Sequence, residues 1–311
     1  MVRETVKRFL PYLSLIVLFL LLSIASPYFL TVNNLSSVLR QTTVITIMAI
    51  GMTIVIAAGG IDLSVGSIVG LAGVCGAMLI AAQFPTALAL LGAIVVGMIC
   101  GFTNGAAITM LRIPPFIGTL GTMGIYRGLT LILTGGIPVA NLNRDFGVLA
   151  TGNMLGIIPV PMLFTLTVAL LVHFILNYTR LGRYSYAIGS NPEAARCSGI
   201  PIWKYTLVIY GLGGALTGWA GMIEAARLVT GQPTAGEGYE LRVIAAVVIG
   251  GGSLNGGQGS VLGTIVGSLI MGLLSNGCNL LGISPFLQQI IIGSVIVLAV
   301  TFDEFQRRKM A

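Results

Sequence analysis

Charge is scarce in this chain. Only 8% of its residues are Asp, Glu, Lys or Arg, where soluble domains carry about 25%, so an ordinary soluble globular protein is excluded. Histidine occurs once, as His173 inside an apolar run, and no Ser/His/Asp set for nucleophilic hydrolysis can be assembled from it. None of the three lysines, Lys7, Lys204 and Lys309, follows a glycine, so the phosphate-binding pattern GxxxxGK[ST] is absent. If such a chain moves solutes with ATP, another subunit must bind the nucleotide. Acids are nearly missing from the apolar runs, whereas ion-driven transporters place several there. The four cysteines, Cys75, Cys100, Cys197 and Cys278, show no metal-ligand spacing, and three of them read as small packing residues in apolar runs.

Apolar residues, by contrast, make up 56% of the chain. Long apolar stretches recur along its whole length, as in an all-α polytopic membrane protein. The first run, Phe9 to Phe29, is too long for a signal-peptide core and reads as an uncleaved span. After a polar link, Thr31–Gln41, further spans cover about Thr42–Ala58, Ser67–Ala82, Ala87–Met110, a Gly-rich segment from Pro114-Pro115 to Thr134, Pro161–Tyr178, Tyr205–Ala225, a short Leu241–Gly250, Val261–Leu281 and Pro285–Phe302. Ten spans place both termini in the cytoplasm. Arg3, Lys7, Arg8, Arg112, Arg180, Arg183, Arg196, Lys204, Arg307, Arg308 and Lys309 then lie inside, and only Arg40, Arg144, Arg227 and Arg242 lie outside. That bias is the expected orientation signal. Eight spans would preserve the parity. The net charge of +7 is dispersed at span ends, which speaks for orientation and not for nucleic-acid binding.

Two long polar interruptions stand out, Asn141–Val160 and Thr179–Tyr205. The second is basic and cytoplasmic by parity. Within it, Asn191-Pro192-Glu193 reads as a helix start and Gly199-x-Pro201 as its stop, giving a helix of about two turns within reach of a soluble partner. An internal echo pairs Ile54–Gly60 and Gly66–Gly70 with Val247–Gly252 and Gly259–Gly263. Glycine-broken segments at matching places point to a translocation site, although a chain with 43 glycines also yields chance matches. Asp62, in GGIDLSVGS, reads first as a cap for the third span, with Ser64 as the alternative cap, and second as a group touching a polar solute. Glu224 and Arg227 are spaced to pair on one helix face.

The residues then reach a family. NNLSSVLRQT (Asn33–Thr42), AIGMTIVIAAGGIDLSVGS (Ala49–Ser67), TRLGRYSYAIGSNPEAARCSGI (Thr179–Ile200), QPTAGEGYEL (Gln232–Leu241), AAVVIGGGSLNGGQGSVLGT (Ala245–Thr264) and NGCNLLGIS (Asn276–Ser284) resemble permease subunits of ATP-binding-cassette (ABC) sugar importers, most closely the ribose type. The resemblance runs from about Leu13 to Asp303 and implies one permease domain over residues 1–311, with 179–205 as its cytoplasmic coupling loop. It further implies a second permease copy or close paralogue, a separate ABC ATPase that carries ATP and Mg, a periplasmic or lipid-anchored sugar-binding protein, and a monosaccharide substrate. No cofactor is expected in this chain itself. Glu193-Ala194-Ala195 and Gly199 match the start of the EAA loop, with Arg196 beside them. The match departs where Ile209-Tyr210-Gly211-Leu212 replaces the later Ile-x-Leu-Pro element. Gly60, Asp62, Ser64 and Asn279 are expected along the sugar path. The rival reading is a self-contained secondary transporter or channel.

Overall fold

The computed structural model describes residues 2–154 and 158–308; Lys309, one of the expected inside charges, lies outside them. The chain is nearly all helical, with helices α1 (Val2–Ala25), α2 (Val32–Ala57), α3 (Val65–Ala81), α4 (Thr86–Met110), α5 (Pro115–Thr134), α6 (Arg144–Thr151), α7 (Val160–Tyr178), α8 (Arg180–Ser190), α9 (Pro192–Cys197), α10 (Ile202–Leu228), α11 (Tyr239–Ile249), α12 (Val261–Leu280) and α13 (Pro285–Arg308). Among the described residues the departures from an all-α fold are a small antiparallel hairpin, β1 (Asn153–Met154) with β2 (Ile158–Pro159), and an isolated bridge between Val139 and Gly231. Among the described residues, α2, α4, α5, α7, α10 and α12 are six helices long and apolar enough to cross a membrane.

Two expectations need correction. The polar stretch Thr31–Gln41 is not a link: Thr31 caps α2 by accepting from the Asn34 N–H, and the helix then runs on to Ala57. Its polar residues are used in packing. Asn34 and Asn276 exchange side-chain hydrogen bonds of 3.2 and 2.8 Å, tying the start of α2 to the end of α12. The basic stretch after Tyr178 holds two helices, α8 and α9, where only one was expected.

α10 forms the centre and packs against α2, α3 and α4. Its contact with α4 is made by glycines. A Cβ at Gly97 would sit 2.2 Å from the Gly214 carbonyl oxygen, and one at Gly101 would sit 2.0 Å from that of Tyr210. Where lipid removes the hydrophobic drive between helices, such backbone-to-backbone approach supplies the attraction through dispersion contacts. Outward-facing Leu, Ile and Phe side chains on α1, α5, α7 and α13 remain exposed, as a lipid-facing rim requires.

Candidate translocation and coupling site

The geometry of α9 follows from six residues of local chemistry. Asn191 Oδ1 accepts from the Ala194 N–H at 3.0 Å, Pro192 occupies the first turn, and Glu193 faces the positive helix end. At the other end Gly199 adopts φ 78°. The Ile200 N–H then donates to the Ala195 carbonyl and the Gly199 N–H to the Arg196 carbonyl, the paired bonds of a Schellman stop. Ala195 is buried, whereas Glu193, Ala194, Arg196 and Gly199 are exposed. The Glu193–Arg196 ion pair, at 3.6 Å and with both side chains mostly in solvent, contributes little to stability and leaves both charges free for a partner.

α8 connects this exposed knob to the interior. Thr179 caps it by accepting from the Gly182 N–H. The Tyr186 hydroxyl donates to the Gly259 carbonyl at 2.8 Å, and burial pushes its phenol pKa up. At the far end of α8, Gly189 is wedged between two chain breaks. An added Cβ there would lie 2.0 Å from the Ala57 carbonyl oxygen and 2.6 Å from the Gly257 nitrogen. The Gly257 N–H itself donates to the Ala57 carbonyl at 2.9 Å, so the end of α2 and the loop after α11 touch directly beneath Gly189.

These are the two glycine-broken segments of the internal echo, and they stop in the same way. After α2, Gly59 (φ 78°) donates to Ile56 and Gly60 donates to Val55; after α11, Gly251 (φ 89°) donates to Val248 and Gly252 donates to Val247. Both are the left-handed glycine stop that an L side chain resists.

Asp62 is buried beyond the first break. Its Oδ1 accepts from the Ser64 N–H at 2.9 Å and from the Ser64 hydroxyl at 2.6 Å. Asn104 of α4 points its amide nitrogen at both carboxylate oxygens (3.3 and 3.2 Å) and at the Ser64 hydroxyl (2.8 Å), and the Tyr126 hydroxyl of α5 donates to Asn104 Oδ1 at 3.0 Å. Thr119 of α5 accepts from the Leu63 N–H at 3.1 Å. The capping expectation is therefore revised. Ser64 occupies the N-cap position of α3 but makes no side-chain cap bond, and Asp62, two residues earlier, closes a turn ahead of the helix. A buried carboxylate is tolerable when hydrogen bonds replace its water.

Gly60 is buried and lines a cavity of about 80 Å³ together with Gly59, Pro115, Thr206 and Tyr210. That volume suits water better than a small-molecule ligand, whose pockets start near ~300 Å³. Asn279 is exposed and is not brought near Asp62. α2 and α12 run antiparallel, with Asn34 on Asn276 at one end and Thr53 on Thr264 (2.6 Å) at the other. Asn279 therefore sits roughly 30 Å along α2 from the Asp62 break. The Glu224–Arg227 pair forms as expected, with Nε–Oε2 at 2.9 Å, and the Tyr239 hydroxyl donates to Glu224 Oε1 at 3.0 Å.

Sequence reasoning missed Asn104, Thr119 and Gly189 as site residues. Asn104 and Thr119 are polar residues inside apolar helices, a signal the sequence did carry. Nothing local distinguished Gly189 among so many glycines.

A bundle with glycine-broken helices inside and an exposed, capped helix outside is the architecture of a membrane-embedded transport subunit. The chain belongs to the family described as branched-chain amino acid transport system / permease component, which matches residues 34–300. It is similar to the ribose import permease protein RbsC of Escherichia coli (strain K12), 45% identical over 94% of this chain and 92% of that one. The ribose import permease protein RbsC of Bacillus subtilis (strain 168) is 44% identical over 97% and 93%, and the D-allose transport system permease protein AlsC of Escherichia coli (strain K12) is 38% identical over 90% and 86%. No solved structure matches the chain. The protein is thus a multi-pass membrane permease, a transport subunit and not an enzyme.

Proposed function

We propose that this chain is the permease subunit of an ATP-driven ABC importer for a monosaccharide, ribose first among the candidates, and that it forms the translocation pathway by alternating access. Relatives named for ribose and allose support a sugar substrate over the amino acids in the family description. Residues 1–311 form one permease domain with both termini in the cytoplasm. Ten crossings result if α11, only about 16 Å long, completes one together with the irregular stretch before it. The partners are a separate ATPase holding ATP and Mg, an external sugar-binding protein, and a second permease copy, identical or paralogous.

The observation that carries this reading is the tie from α9 through Gly189 to both breaks. Glu193, Ala194, Ala195, Arg196 and Gly199 form the surface that the ATPase grips. Closure of the ATPase on ATP then pulls α8 against Ala57 and Gly257 and shifts the broken segments. Gly60, Asp62 and Ser64 shape the pathway at one break, and Asn279 lies toward its other end. The test is purification of the tagged chain in mild detergent, with Glu193→Arg alongside. The wild type should bring down an ATPase in stoichiometric amount and the variant should lose both that subunit and sugar uptake. Sugar movement by the chain alone, without ATP, would establish a secondary transporter instead.

A further inference from the structure

The stretch between α10 and α11 is irregular, polar and held inside the bundle. α10 ends with Val229 in the left-handed region (φ 49°), a rare conformation for a β-branched residue. Gly231 bridges back to Val139, and Gly231, Pro233 and Gly236 are buried. Gly236 (φ 80°) presses on the first turn of α3: a Cβ there would meet the Gly66 carbonyl oxygen at 2.2 Å. From α5, the Arg127 guanidinium donates to the carbonyls of Pro233, Ala235 (3.0 Å) and Gly66 (3.4 Å). One half-buried arginine thus satisfies the unwound backbone and fastens it to the start of α3. Beside this anchor Thr234 and Glu237 are exposed and Gln232 and Glu240 half-buried, with a Glu240 carboxylate oxygen packed against Gly66 and both acids within electrostatic reach of Arg127.

A carboxylate displayed beside unwound backbone in a membrane bundle must face water or a polar partner, because lipid excludes both. Resting on the importer reading above, we propose that the turn Gln232–Glu240 is the sugar-contacting element of the pathway, with Arg127 as its positioning residue. Glu237 offers two acceptor oxygens to hydroxyl donors. Gln232, whose Nε2 now donates to Thr234 Oγ1 at 3.0 Å, offers a donor and an acceptor together. This lining matches a neutral polyol. A branched aliphatic amino acid would need an apolar wall in its place.

The test uses the assembled importer in vesicles, with its binding protein saturated by a parent monosaccharide or by each of its single-deoxy derivatives. In the wild type, loss of the hydroxyl facing Glu237 slows transport. In Glu237→Gln that penalty should shrink by about tenfold, the range of a charge-assisted hydrogen bond, while the penalties at other hydroxyls stay unchanged. A merely structural role would scale all the sugars alike, and that outcome overturns the assignment. If Glu237→Gln does not assemble, Thr234→Cys in a Cys197→Ser chain decides. Reaction with a charged thiol reagent that sugar slows supports the site, and no reaction with or without nucleotide overturns it. A wild-type complex that moves no monosaccharide refutes the importer reading itself, and this inference with it.

Discussion

The two breaks stop their helices with the same glycine bonds and restart them differently. After α2 the chain resumes as α3 within a short, largely buried stretch, and Asp62, Asn104 and Thr119 supply the missing hydrogen bonds. After α11 the stretch is longer and partly exposed. It bonds within itself through Ser253 to Gln258 and Gly256 to Ser253, takes the Tyr186 hydroxyl of α8 on Gly259, and Ser260 then caps α12 by accepting from the Gly263 N–H at 3.1 Å. The buried break draws on Asn104 of α4 and Thr119 of α5 around its own carboxylate, whereas the second takes one side-chain bond from α8 and otherwise uses its own backbone and water. Sequence likeness at the stops therefore hides a difference in what holds each one.

Mutations can separate the two breaks. The largest effect is expected at their shared contact. Gly189→Ala drives a methyl into Ala57 and Gly257 at once, overpacking that costs about 1–3 kcal/mol or more, and uptake should fall to background although the chain still inserts. Next comes Asp62→Ala, which leaves the buried Ser64 N–H and hydroxyl without their acceptor and takes two of the contacts of the Asn104 amide. A loss of about 3 kcal/mol is expected, read as a lowered midpoint of thermal unfolding in detergent. The matching change in the exposed break, Asn255→Ala, should stay within about 0.5 kcal/mol. Equal losses at both positions would show that the breaks are held alike. Between these two lies Ser260→Ala, where losing the α12 cap costs about 1 kcal/mol, again read as a shift of the unfolding midpoint.

The legible parts of this molecule were those whose chemistry is local. α9 could be read to the residue because its cap, first-turn proline and stop lie within Asn191–Gly199. The Glu224–Arg227 pair was legible because residues three apart on a helix lie on the same face. α8 was not, since a basic, polar stretch resembles an open loop until its far end is seen against Gly257. The start of α2 was read as a link for the same reason, because its Asn34 is matched by Asn276 from the other end of the chain.

By itself, the sequence determined the class of protein. Its lack of charge and its long apolar runs require helices whose backbone bonds close internally, and its motifs carry the family. Tertiary structure alone decided what the few buried polar groups do. Asp62, Asn104 and Arg127 each find partners far away in the chain, and in an environment without water a polar group's role is set by whichever distant group packing brings within about 3 Å.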